Sequence, residues 1–172
     1  DSSTSRGLGD VYKRQSQDAC WRGVETGVFD LFSSDHCPFR YDDPMGKLNP
    51  RGRTSFRHIP NGIPGVETRL PILFSEGVMK GRIDLPRFVA LSSTNHAKTY
   101  GLSRKGAIAV GMDADIAIWN PDEVRTIRHA ELHDGSDYTP YEGVEVRLSL
   151  IHISGAHETR HDLVCRLLLE KK

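Results

Sequence analysis

VFDLFSSDHCPF, residues Val28–Phe39, decides how the rest of the chain is read. Its first half is a short apolar run broken only by Asp30. A run of this length without alternation suits a strand buried on both faces of a parallel α/β sheet. Its second half turns polar at Ser33, Ser34, Asp35 and His36, then reaches a Cys37-Pro38 turn. In barrels and open α/β sheets, catalytic carboxylates stand just past the carboxyl end of such a strand, and Asp35 falls there. The same residue equally suits an Asx-turn that closes a strand. The pattern alone does not separate the two.

Upstream, Asp18–Thr26 reads as the end of a helix, with Gly27 placed to stop it. Downstream, Arg40–His58 is rich in Pro, Gly, Asn and Arg and has no period, which predicts a long surface loop. Ile59–Gly65, IPNGIPG, fixes the backbone with its prolines and allows unusual φ at Gly62 and Gly65. It can present backbone N–H and C=O groups to a ligand, or serve as a plain turn into a helix. That helix is predicted from Val66 to Lys80, with Leu70, Leu73, Phe74, Gly77 and Val78 on one apolar face. Asp84 then caps a second helix with Pro86 in its first turn. Leu85, Phe88, Val89, Ser92, His96 and Tyr100 trace its predicted inner face, where His96 reads as a packing histidine. After Gly101 the period changes to two. Ala107–Val110 and Ala114–Trp119 read as a hairpin closed by Gly111–Asp113, with Asn120-Pro121 the next break and Glu123–Arg128 a further strand.

Composition narrows the partners. The chain has 172 residues, with 23 Lys and Arg against 23 Asp and Glu. That balance points to neither nucleic acid nor an anionic membrane surface. The cluster Arg51, Arg53 and Arg57 reads as a solvated loop. No apolar run approaches the roughly 20 residues of a transmembrane helix. Cys20 and Cys37 do not suggest a disulfide framework, and a reducing cytoplasm is the default location.

Several stretches together resemble one family. SSDHCPF at Ser33–Phe39, IPNGIPGVETRLPILFSEGV at Ile59–Val78, WRG at Trp21–Gly23 and GMDADIAIWNP at Gly111–Pro121 are similar to the cyclic amidohydrolases, in the dihydropyrimidinase or D-hydantoinase branch. The likeness runs from about Ala19 to Val146. It implies an α/β fold: the C-terminal fragment of a (β/α)8 barrel, with the last strand and following helices in 16–101 and part of a small β-sandwich in 102–147. A complete barrel takes about 250 residues. The resemblance further implies hydrolysis of the cyclic amide bond of dihydropyrimidines or hydantoins, a small-molecule substrate, a cytoplasmic homotetramer, and no nucleic-acid or membrane partner.

It also implies two divalent metal ions, zinc by the family's habit, held by four His and a carboxylated Lys. Asp35 completes that site as metal ligand and proton carrier, and the main chain at Asn61 contacts the substrate. Such metals bring a bound water toward a pKa of about 7. Of these groups the chain supplies Asp35 alone; His36, His58, His96, His129 and His133 match no ligand position of the family. The expectation is therefore an enzyme parent and an inactive fragment with no bound metal. Allantoinase and dihydroorotase are related alternatives. A non-enzymatic binding protein of the same fold is an alternative of another class. An HxH motif upstream would mark the enzyme, and its absence the binding protein.

The two ends read differently. Asp10–Gln15, DVYKRQ, back-translates as GAT GTG TAT AAG AGA CAG. The reverse complement reads LSLIHI, which is Leu148–Ile153. Opposed copies of one DNA element are what a transposase-made sequencing library leaves around its insert. Asp162–Lys172 reads as a flow-cell adapter running into adenines. Residues 1–15 and 148–172 are accordingly expected to be non-native and to pack poorly, with the origin of residues 1–4 left open. HETRH at His157–His161 matches the HExxH zinc pattern but falls inside this adapter sequence. Two structural expectations follow. Val28–Phe32 lacks its ladder neighbours, and the Leu70–Val78 face lacks the barrel wall it would cover.

Overall fold

The computed structural model describes residues 14–154. Helix α1, Arg14–Thr26, ends where Gly27 takes φ +88. Next comes a long irregular stretch with single turns at Pro50–Arg53 and Phe56–His58. Helix α2, Arg69–Leu73, widens into a π turn over Phe74–Val78. Helix α3, Leu85–Val89, widens in the same way over Ala90–Thr94 and continues as α4, Asn95–Thr99. In each π turn a serine hydroxyl bonds back four residues, Ser75 to the Pro71 carbonyl and Ser92 to that of Phe88. Such bonds compete with the regular helical ladder. The Asp84 carboxylate accepts from the Arg87 N–H and caps α3 as expected.

The core lies between the helices. Leu73, Ile83 and Leu91 form its centre, with Trp21, Val24, Phe32, Val78 and Phe88 packed around them. Phe74 meets Phe88 edge to face at 5.6 Å. The predicted face of the first helix is therefore covered: Leu73 is 1% exposed. The absent barrel wall does not leave it bare, because α1 and α3 close over it. The second helix departs from expectation. Leu85, Val89 and Tyr100 face solvent, and Leu91 and Ala97 are buried in their place. An ideal 3.6-residue period does not hold through a π turn, and Leu85 and Val89 have no described surface to pack on.

The predicted hairpin is absent. Ala107–Asp113 forms a local turn, with the Met112 N–H on the Ala109 carbonyl and the Asp113 N–H on that of Arg104, and Ile108 and Val110 are exposed. Strand β1, Ile116–Thr126, pairs antiparallel with β2, Glu145–Ser154. Asn120-Pro121 does not end β1. It forms a bulge, where the register jumps from Asn120↔Ser149 to Val124↔Arg147, a place where a residue lacking N–H is tolerated. Strand β2 also runs through the expected junction at Arg147/Leu148. Leu148 is 3% exposed, so Leu148–Ser154 does join the fold, while Leu150, Ile151 and Ile153 lie exposed. The helices touch this sheet through Ser75, whose Oγ accepts from the Arg147 N–H. Leu163–Leu169 and His157–His161 lie outside the described residues. Among the described residues no helix is long and apolar enough to cross a membrane.

Candidate active-site turn

Val28–Phe32 is extended but joins no ladder. This corrects the expectation of a strand buried on both faces: Val28 is 73% exposed and Phe29 46%. A strand exists only by pairing with a neighbour, and no strand among the described residues pairs with Val28–Phe32. Side chains take the place of such a neighbour. The guanidinium of Arg87 donates to the carbonyls of Val24 and Phe29, each at 2.6 Å. Asn95 donates to Asp30 O at 2.8 Å, and Arg69 to Phe32 O at 2.9 Å. Phe32 O also lies 3.2 Å from His96 Nε2, whose ring stacks on Tyr100. His96 is thus a packing and tethering histidine.

The chain then turns sharply. Asp35 is exposed and has φ +46, a region that non-glycine residues seldom adopt and that collects at functional sites. Its neighbour His36 forms a parallel bridge with Ile63, and the Cys37 N–H donates to the Ile63 carbonyl at 3.1 Å. The His36 ring accepts at Nδ1 from the N–H groups of Gly65 (3.0 Å) and Val66 (3.3 Å). SSDHCPF and IPNGIPG, which are 20-odd residues apart in sequence, thus become one structural unit. Gly62 is required there. It has φ +92, and a Cβ on it would stand 2.3 Å from Cys37 Cβ. Asn61 is exposed, two residues before the bridge, so its main chain borders the Asp35 turn.

The long loop beside this unit is ordered by a few polar residues. Buried Asn49 donates to Gly46 O and His58 O and accepts from the Gly52 N–H. Lys47 donates to Pro60 O at 2.8 Å, next to Asn61. Asp137 accepts from the N–H groups of Tyr41 (2.5 Å) and Asp42 (3.0 Å). The Tyr41 bond first, then the Asp42 bond, hold its carboxyl below the usual range, and Arg40 adds to the effect. Tyr138 packs on Tyr41, and burial pushes its phenol up. Away from this region, Asp115 and then Asp113 raise Lys105 against opposing desolvation.

Sequence reasoning singles out Asp35 and Asn61 and does not anticipate the long-range bonds of His36 and Asp137. One signal for His36 was available. Backbone N–H groups away from water need acceptors, and IPG, which leads into the turn before α2, has no Ser, Thr, Asp or Asn of its own to supply one. No group of three His, Cys, Asp or Glu side chains able to hold a metal occurs among the described residues. His36 already uses Nδ1 on two backbone donors. The residues present therefore do not fit a two-metal centre. A shallow groove lined by Asp18, Trp21, Arg22, Glu25, Gly81 and Arg82 contains neither Asp35 nor Asn61.

The comparisons give the family. The chain belongs to the amidohydrolase family, whose model matches residues 9–152, slightly more than Ala19–Val146. Within it the chain is similar to hydantoinases. It is 40% identical over 146 residues to a D-phenylhydantoinase from Escherichia coli O1:K1 / APEC, covering 84% of this chain and 31% of that protein. It is 43% identical over 135 residues to a D-hydantoinase from Ralstonia pickettii, covering 78% and 28%. The solved dihydropyrimidinase from Brevibacillus agri NCHU1002 superposes with a TM-score of 0.77 at 41% identity, over 84% of this chain and 31% of that one. The fold is thus α/β, a piece of the barrel amidohydrolase architecture. The chain spans about a third of the length of the curated relatives it matches.

Proposed function

We propose that the whole protein containing these residues hydrolyses the cyclic amide bond of dihydropyrimidines or 5-substituted hydantoins. The observation that carries this reading is the docking of the Asp35 turn on the loop of Asn61, within a chain about 40% identical to hydantoinases. Water adds to the ring carbonyl carbon, the C–N bond breaks, and the ring nitrogen leaves as the terminal NH2 of a ureido group, giving an N-carbamoyl amino acid with a free carboxylate. Asp35 takes the proton from the attacking water and passes it to that nitrogen. Such general acid–base work is worth roughly 10²–10⁴ in rate. The main chain at Asn61 holds the ring beside it.

The two divalent metal ions implied by the resemblance, zinc among them, would have Asp35 as one ligand and need the four His and the carboxylated Lys, which the described residues do not supply; no step here depends on them. The chain alone is accordingly inactive. The barrel part occupies 16–101 and the sandwich part 102–147, with 1–15 and 148–172 non-native. The φ of +98 at Leu148, one residue past the proposed junction, supports that boundary. The whole protein is read as a cytoplasmic homotetramer that acts on a small molecule, without nucleic-acid or membrane partners.

The test is a chimera in which residues 16–147 replace the matched segment of the E. coli D-phenylhydantoinase. It should open hydantoin or dihydrouracil, and Asp35→Ala should lower kcat by about 10²-fold or more. The 172-residue chain should turn over neither compound. A folded chimera without activity, or one indifferent to Asp35→Ala, overturns the reading.

A further inference from the structure

His36 accepts two N–H bonds that any polar residue near position 62 could have accepted locally. Its hold on Gly65 and Val66 spans 29 and 30 residues of sequence instead. A local acceptor would only order the turn that leads into α2. A distant one makes that turn, and the Asn61 loop before it, move together with the residue bonded to Asp35. The backbone around Asp35 is fixed on the same side. The His36 N–H donates to Ser34 Oγ at 3.2 Å, and His36 and Cys37 both engage Ile63. Asp35 itself, exposed and at φ +46, has little of its own to hold it.

We propose that His36 is a positioning residue: its imidazole ties the Asp35 turn to the loop carrying Asn61, so that the carboxylate and the Asn61 main chain keep one mutual geometry. The inference rests on the cyclic-amide reading above. It requires an acceptor at the position of Nδ1. The Oδ1 of an asparagine stands at that distance from the backbone, whereas the Oε1 of a glutamine stands where Nε2 does.

The experiment measures hydantoin hydrolysis by the chimera carrying His36→Asn, His36→Gln or His36→Ala, with rates expressed per folded enzyme. Misplacement of about an ångström can cost about 10²-fold. The Ala and Gln variants should therefore lose about 10- to 100-fold in kcat with KM changed less than about threefold, and Asn should restore kcat to within about threefold. Equal kcat in all three variants overturns the positioning role and leaves cyclic-amide hydrolysis standing. An inactive unsubstituted chimera overturns both. Should the Ala and Gln chimeras fail to fold, hydrogen exchange in the 172-residue chain decides. Faster exchange at Cys37 together with Gly65 and Val66 supports the tie, and faster exchange at Gly65 and Val66 alone marks a merely local effect and overturns it.

Discussion

Between Val28 and Gly65, several backbone carbonyls and N–H groups find side-chain partners on distant elements; between Ile116 and Ser154, the backbone groups of two strands find each other. In the first region Arg69, Arg87, Asn95 and His36 reach across the fold to carbonyls and N–H groups that no strand serves. In the second, two strands pair along an antiparallel ladder and leave Leu150, Ile151 and Ile153 in solvent. The bonds of a ladder run between backbone groups that every residue but proline carries. A set of long-range side-chain bonds forms only where particular residues occupy particular places. The first region is therefore the more specified of the two, and it holds both Asp35 and Asn61.

The largest expected effect that sharpens this contrast is at Gly62. A Cβ there meets Cys37 Cβ at 2.3 Å, and φ +92 strains any L residue. Gly62→Ala should cost about 1–3 kcal/mol locally. Amide exchange at Cys37 should then rise about ten- to hundredfold, with Ile118 and Trp119 in the sheet unchanged. Unchanged protection at Cys37 would mean that the two loops are not locked together.

Removal of residues 148–172 should do less. Burial of Leu148 contributes about 1.5–3 kcal/mol, and its φ of +98 costs about 1–3 kcal/mol. At Leu148 itself the two nearly cancel; the cut also removes the ladder partners of Ile116–Asn120 but leaves those of Val124–Thr126, beside Ile127, in place. Truncation after Arg147 should leave exchange at Ile127, bonded to Val144, within a few-fold of the intact chain. A rise above about tenfold would show that Leu148–Ser154 hold the sheet together, and would break the contrast.

Local patterns made much of this fold legible. Gly27, Asp84 and the Leu73–Phe74 face act as their chemistry dictates, because caps, stops and amphipathic faces depend on residues a few positions apart. Asp35 and Asn61 are singled out through motif resemblance, and the structure brings their two stretches together. The failures share a cause. Val28–Phe32 reads as a strand because apolar runs become strands when neighbours exist, and neighbours are not written in the run itself. The Ala107–Trp119 hairpin failed because β1 found its partner at Glu145–Ser154, across some twenty residues of uninformative sequence. His36 and Asp137 escaped notice because their bonds span about 30 and 95 residues.

The smallest effect concerns pH and the loop beside Asp35. Asp137 clips Tyr41 and Asp42 through two N–H bonds, and these bonds depress its carboxyl below the ordinary value of 3.8. A depressed carboxyl contributes stability that is fully present above its unfolded value and lost as pH falls through its folded one. The clip should therefore be intact at neutral pH and open only below about pH 4. Asp137 is solvent-screened, so the effect should be confined to the loop it holds. Exchange at Tyr41 and Asp42, corrected for the intrinsic pH dependence, should accelerate in that acid window while Cys37 stays protected. Asp137→Asn keeps one acceptor oxygen but loses the charge, so it should loosen the same two amides at pH 7 and abolish the acid transition. Should Cys37 loosen in step with Tyr41, the clip and the His36 tie would be one cooperative device, and the loop would belong to the specified region rather than lie beside it.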